Sequence, residues 1–113
     1  MTGAATEAAL EIGPAELDAM RREKRPHALL DVREPWELDI CKLEGSVNVP
    51  LGTLPQNLAK LSKADPLVVM CHHGGRSMQA VMWLRAQGYA NATNLRGGIH
   101  EWARQVESGM ATY

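Results

Sequence analysis

The run Val69-Met70-Cys71-His72-His73-Gly74-Gly75-Arg76-Ser77 gathers a thiol, two imidazoles, a guanidinium, a hydroxyl and two adjacent glycines into nine positions. Ahead of it, Leu67-Val68-Val69-Met70 is a short apolar run that predicts a buried strand. After it, the apolar-rich residues from about Ser77 to Gln87, closed by Gly88, predict a helix. The cysteine thus falls at a strand-to-helix turn. Adjacent glycines let the backbone curl so that several N–H groups converge, and the first helical turn adds unpaired N–H groups and the positive end of its dipole. A ring of amides from His72, His73, Gly74, Gly75, Arg76 and Ser77 favours an anion, and the nucleophilic form of cysteine is itself the anion. Arg76, and His72 or His73 when protonated, act in the same direction. The chemistry this predicts is attack by Cys71 on an anionic substrate.

Other readings of these residues are weaker. Free cysteine is among the most buried residue types, so an isolated strand-end cysteine would be taken as core, but the glycines, the arginine and the helix speak for a nucleophile. Cys41 lacks such surroundings and is expected to be structural. A Cys41–Cys71 disulfide is disfavoured, since the dense cysteine pattern of small secreted domains is missing. A metal site of Cys71, His72 and His73 is not expected, because adjacent residues in a tight turn do not readily aim three side chains at one ion. No Cys-x-x-Cys or His-x-x-x-His spacing occurs elsewhere. His27 and His100 show no partner in the sequence and are expected at the surface or in helix packing. Arg76 at a helix start opposes the dipole, which calls for a compensating anion or carboxylate.

The elements that must hold this loop can be read along the chain. Residues 1–8 predict a flexible tail, and 9–113 a single domain. Leu10 and Ile12 suggest an edge strand, and Gly13-Pro14 opens a helix that Pro26 stops. Ala28 to Val32 predicts a second buried strand, with Asp31, Arg33 and Glu34 at its carboxyl end, where open α/β sheets place ligand crevices. Pro35 starts a short helix with Trp36 and Ile40 on one face. Val47-Asn48-Val49 predicts a third strand, and Thr53 to Gln56 fits a capping box ahead of a helix carrying Leu54, Leu58 and Leu61. The helix after Cys71 holds so many apolar residues, Met82 and Trp83 among them, that broad burial is expected. Ala92 to Leu95 is a weak strand leading into Gly97-Gly98, which predicts a tight turn, and Ile99, Trp102, Ala103 and Val106 form the apolar stripe of a last helix. Strands alternating with helices predict an α/β fold with a mostly parallel sheet covered on both faces.

Charge and composition limit the partners. A net charge of −1, with 12 basic and 13 acidic side chains, gives no reason to expect a nucleic acid or an acidic membrane. Residues 66–113 carry 4 basic and 2 acidic side chains, so the half with the cysteine loop is mildly positive. No apolar run approaches a membrane span and the first ten residues do not resemble a secretory signal, so a cytoplasmic location is expected.

Cys-His-His-Gly-Gly-Arg-Ser at 71–77, Leu-Asp-Val-Arg-Glu at 30–34 and Leu-Arg-Gly-Gly-Ile-His-Glu-Trp at 95–102 together resemble a single-domain rhodanese, a sulfurtransferase. The resemblance implies a mostly parallel sheet of about five strands with helices on both faces. It implies transfer of a sulfane sulfur from a small anionic donor such as thiosulfate to cyanide, a cellular thiol or a protein acceptor, through a persulfide on Cys71. It implies no metal or organic cofactor, and for Asp31 and Arg33 a bracing role beside the active loop. Four residues separate Cys71 from Arg76, whereas the phosphatases and arsenate reductases of related fold have five, so the tighter loop favours sulfur. A non-catalytic module that docks a partner or senses oxidants is the other alternative, and such modules often lack the cysteine. Lys42 stands where a histidine is common in the family.

Overall fold

A computed structural model describes residues 8–113. The elements in chain order are β1 (Glu11–Ile12), α1 (Pro14–Arg22), β2 (Ala28–Asp31), α2 (Pro35–Leu38), β3 (Val47–Asn48), two 3-10 segments (Leu51–Thr53 and Pro55–Lys60), β4 (Leu67–Met70), α3 (Gly75–Ala86), β5 (Ala92–Leu95) and α4 (Gly98–Gln105). The strands form one sheet in the order β1-β5-β4-β2-β3, parallel throughout. This is the α/β architecture that alternating strands and helices require. Of the expected tail, residues 1–7 lie outside the described part, and Ala8 N–H donates to Ala90 O at 3.1 Å. Among the described residues no helix is long and apolar enough to cross a membrane.

The central strand β4 is buried at every residue, as a parallel strand covered on both faces must be. Its side chains alternate between two cores. Leu67, Val69 and then Cys71 pack with Ala80, Val81 and Leu84 of α3. Val68 and Met70 pack on the other side with Leu17 and Met20 of α1 and Ile99 and Trp102 of α4. The period of two along β4 therefore delivers Cys71 to the face where α3 begins.

Two local expectations are corrected, and a third element differs from what its apolar residues suggest. Trp36 is 60% exposed and Ile40 37%, so the apolar face of α2 is not the buried one; Glu37 is the buried residue. A one-turn helix has too few positions for an apolar pair to decide its orientation, and a carboxylate with a strong partner outweighs it. The segment after Thr53 is 3-10 rather than a capped α-helix: Thr53 Oγ1 donates back to Pro50 O at 2.9 Å and makes no cap. The capping box is at α2 instead, where Glu34 N–H donates to Glu37 Oε2 at 2.9 Å. Finally, α3 buries one stripe only, leaving Met82 56% exposed, because a helix on one sheet face can cover no more than that.

Candidate active site

Cys71 Sγ accepts two backbone hydrogen bonds, from Gly74 N–H at 3.1 Å and Ser77 N–H at 3.3 Å. The first depends on Gly74, which turns the chain at φ +107°. That backbone conformation is costly for a side chain with a Cβ. The second follows from where α3 starts. The helix begins at Gly75, two residues before the expected Ser77, so Ser77 lies in the first turn, where N–H groups have no partner within the helix. Both donors and the helix dipole thus converge on the sulfur of a residue that is 1% exposed.

Ser77 Oγ lies 3.3 Å from Sγ and 2.6 Å from Asn94 Oδ1. Its single proton can serve one acceptor at a time, and Asn94 is the nearer. The Asn94 amide is held in that orientation by Nδ2, which donates to Glu11 Oε2 at 3.0 Å and Gly74 O at 3.3 Å. A polar residue in β5, the strand with the weakest sequence signal, therefore ties β1, the Gly74 turn and Ser77 together.

Arg76 does meet a carboxylate. Its Nη1 and Nη2 each lie 2.8 Å from an oxygen of Glu37, a bidentate pair between α3 and α2. The Arg76 hydrogen bonds hold the Glu37 carboxyl at about 2, against an opposing push from burial and with help from Tyr113 and the Glu34 N–H. The hydrogen bonds from Arg76 and Tyr113 to the carboxylate, and from Arg33 to Tyr113, form a chain: Arg33 Nη1 donates to Tyr113 Oη at 3.0 Å, and Tyr113 O–H donates to Glu37 Oε1 at 2.7 Å. Burial, with Glu37 alongside, pushes the Tyr113 hydroxyl up to about 12 against the pull of Arg33.

Asp31 and Arg33 are both fully buried and paired, with Nη2 to Oδ2 at 2.7 Å and Nε to both oxygens at 3.0 and 3.1 Å. Arg33 also donates to the carbonyls of Glu37 at 3.3 Å and Cys41 at 2.9 Å. Burial opposes its charge, but the bonds with Asp31 and Tyr113 outweigh that and raise its pKa. The pair fastens the end of β2 to α2, one step behind Glu37 and Arg76. Cys41 is a free thiol packed against the α1/α4 core, and Cys71 is likewise unpaired.

The far side of the loop is closed by α4. Ile99 N–H donates to Cys71 O at 2.9 Å and His100 N–H to His72 O at 3.0 Å. Gly98, at φ +62°, makes this approach possible, since a Cβ there would lie 2.5 Å from His72 O. His100 consequently sits beside the loop rather than at an unrelated surface, with its ring 4.9 Å from that of His73. His72 stacks on Tyr113 at 3.7 Å, and burial and His73 together hold it below the ordinary histidine range. A cleft of about 760 Å³ around Arg21, Lys42, Glu44 and Glu107 includes no residue of the loop.

Glu37, Asn94 and Tyr113 were not singled out from the sequence. Glu37 carried one signal, its place three residues after Glu34 at the head of a helix. Asn94 carried another, a polar residue in a strand that has to be buried for the sheet to close. For Tyr113 the sequence offers none.

A parallel sheet delivering a cysteine into a glycine turn at a helix N-terminus defines a class, and the model of the rhodanese-like domain family matches residues 13–105. The chain belongs to that family. It is 33% identical over 94 residues to a sulfurtransferase of Allochromatium vinosum, covering 83% of this chain and 88% of that protein. It is 36% identical over 104 residues to the probable adenylyltransferase/sulfurtransferase MoeZ of Mycobacterium tuberculosis, covering 90% of this chain and 26% of that one. Among solved structures it matches a rhodanese-like domain protein of Staphylococcus aureus with a TM-score of 0.80 and 28% identity, covering 93% of this chain and 99% of the other. Several of the longer curated relatives are matched over less than a third of their length, for example 30% for a rhodanese-like/PpiC domain protein of Arabidopsis thaliana. Relatives named as sulfurtransferases support sulfur transfer as the chemistry of this family.

Proposed function

We propose that the chain transfers a sulfane sulfur through a persulfide on Cys71, with thiosulfate as a competent donor. The observation that carries this reading is the pair of N–H bonds from Gly74 and Ser77 to Cys71 Sγ at the positive end of α3. The thiolate attacks the outer sulfur of thiosulfate. A bond forms between the two sulfurs as the donor's S–S bond breaks, and its electron pair leaves on sulfite. The resulting Cys71 persulfide carries the negative charge outward, with the amides of the 72–77 ring around it. An acceptor thiolate or cyanide then attacks the outer sulfur, and the electron pair of the persulfide bond returns to Sγ as thiolate. Every atom transferred travels on the protein, so the cycle uses no metal or organic cofactor.

The state of Arg76 favours sulfur over phosphoryl transfer. A phosphate-handling loop uses an arginine fork to grip phosphate oxygens, and here both terminal nitrogens are taken by Glu37. His72, His73 and Gly75 contribute through backbone and loop shape, Arg76 through bracing, and Asp31 with Arg33 by holding α2 in place. The acceptor is a small thiol or a sulfur-receiving protein, and the net charge of −1 fits neither a nucleic acid nor an acidic membrane as partner. Two unpaired cysteines suit a reducing compartment such as the cytoplasm.

A thiosulfate-to-cyanide transfer assay tests the reading. Turnover by the wild type that vanishes in Cys71→Ser supports it; phosphate-ester hydrolysis with no response to thiosulfate would overturn it.

A further inference from the structure

Three imidazoles from two separate stretches of the sequence meet beside the loop. His72 and His73 follow Cys71, while His100 comes from the first turn of α4. One ring nitrogen of each lies within 4.8 Å of the other two. The ring centroids are 3.9 Å apart for His72 and His73, 4.9 Å for His73 and His100, and 6.1 Å for His72 and His100. The arrangement is held by backbone rather than by the rings themselves. His100 N–H donates to His72 O at 3.0 Å, and the neighbouring Ile99 N–H to Cys71 O at 2.9 Å. Gly98 lets α4 come that close.

The second observation is an unmet need. His72 Nε2 and His100 Nδ1 are buried and have no hydrogen-bond partner among the described residues. Buried polar nitrogens are normally satisfied, and an orphaned pair in one cluster points to a missing common partner. A proton shared between rings would serve one pair at most, whereas one cation with a vacant shell serves all three.

We infer that His72, His73 and His100 form a binding site for a divalent transition-metal ion of the zinc class. Imidazole ligands suit zinc, copper and nickel, and a set without carboxylates does not suit magnesium or calcium. Three nitrogens with an open fourth position make the tetrahedral arrangement that zinc accepts. At a metal–nitrogen distance of about 2.0–2.1 Å the ligand atoms stand roughly 3.3 Å apart, so the rings need to close by about 1.5 Å at most. The exposed ring of His73 is the one free to move. This site does not rest on the sulfur chemistry, which draws on backbone N–H groups, and its test needs no turnover.

Zn²⁺ alone, added to the reduced full chain and followed by calorimetry, is the probe. Saturable uptake of one equivalent is expected, weakened at least about tenfold by His100→Gln and likewise by His73→Ala, and retained in Cys71→Ser. Far-UV dichroism and the thermal midpoint show whether His100→Gln is folded; should it not fold, the exposed position His73→Ala decides the matter. Absence of saturable binding would overturn the inference. So would binding that is lost in Cys71→Ser and indifferent to the histidine variants, since the ion would then belong to the thiolate.

Discussion

Glu37 holds Arg76 with both carboxylate oxygens, 2.8 Å to each terminal nitrogen, across 39 positions of sequence. The pair ties α2 to the first turn of α3, and so fixes the helix start that supplies Ser77 N–H to the sulfur. The folded carboxyl titrates at about 2, below its ordinary 4.5. Its contribution to stability is therefore complete above about pH 4.5 and is lost as the pH falls toward about 2. Urea unfolding measured across that window should show a falling free energy, and Glu37→Gln, with no carboxylate to protonate, should flatten the fall. An unchanged slope in the variant would place the acid sensitivity elsewhere.

Gly98 and Gly75 offer a contrast between two glycines of the same site. A Cβ at Gly98 would meet His72 O at 2.5 Å with φ at +62°, while Gly75 has nothing within 4 Å and sits in helix. Gly98→Ala should cost about 2–4 kcal/mol and lower transfer activity by pushing α4 off the loop. Gly75→Ala should leave stability within about 0.5 kcal/mol. Thermal melts of the two variants check this.

Asn94 links Ser77, Gly74 and Glu11 through one amide. Asn94→Ala should destabilise by about 1–3 kcal/mol, since buried partners lose their bonds. It should also lower transfer turnover while leaving persulfide formation on Cys71 possible, unlike loss of the cysteine. Single-turnover persulfide formation beside steady-state rates separates the two effects.

How much of this was legible in the sequence depends on range. β4, the glycine turn and α3 form one continuous stretch, so Leu67 to Gln87 announced the fold around Cys71. A mostly parallel sheet followed from strands and helices that alternate and a count of about five from the family resemblance, whereas the order β1-β5-β4-β2-β3 is seen only in the structure. What escaped was set by partners distant in sequence. Trp36 and Ile40 stood out as the apolar face of α2, and nothing near them shows that Arg76 will claim Glu37 and make it the buried residue. His100 showed no partner and was expected at the surface or in helix packing, because only the bare backbone of Gly98 lets α4 reach His72. Thr53 and Gln56 fitted a capping pattern, but Pro55 and the return bond to Pro50 made a 3-10 segment of it.

The most direct test of the central claim is the intact mass of the purified chain before thiosulfate, after it, and after cyanide, with Cys71→Ser alongside. Gain of one sulfur atom that cyanide removes, absent in the variant, is the predicted result. No gain in the wild type, or the same gain in Cys71→Ser, would contradict a persulfide on Cys71.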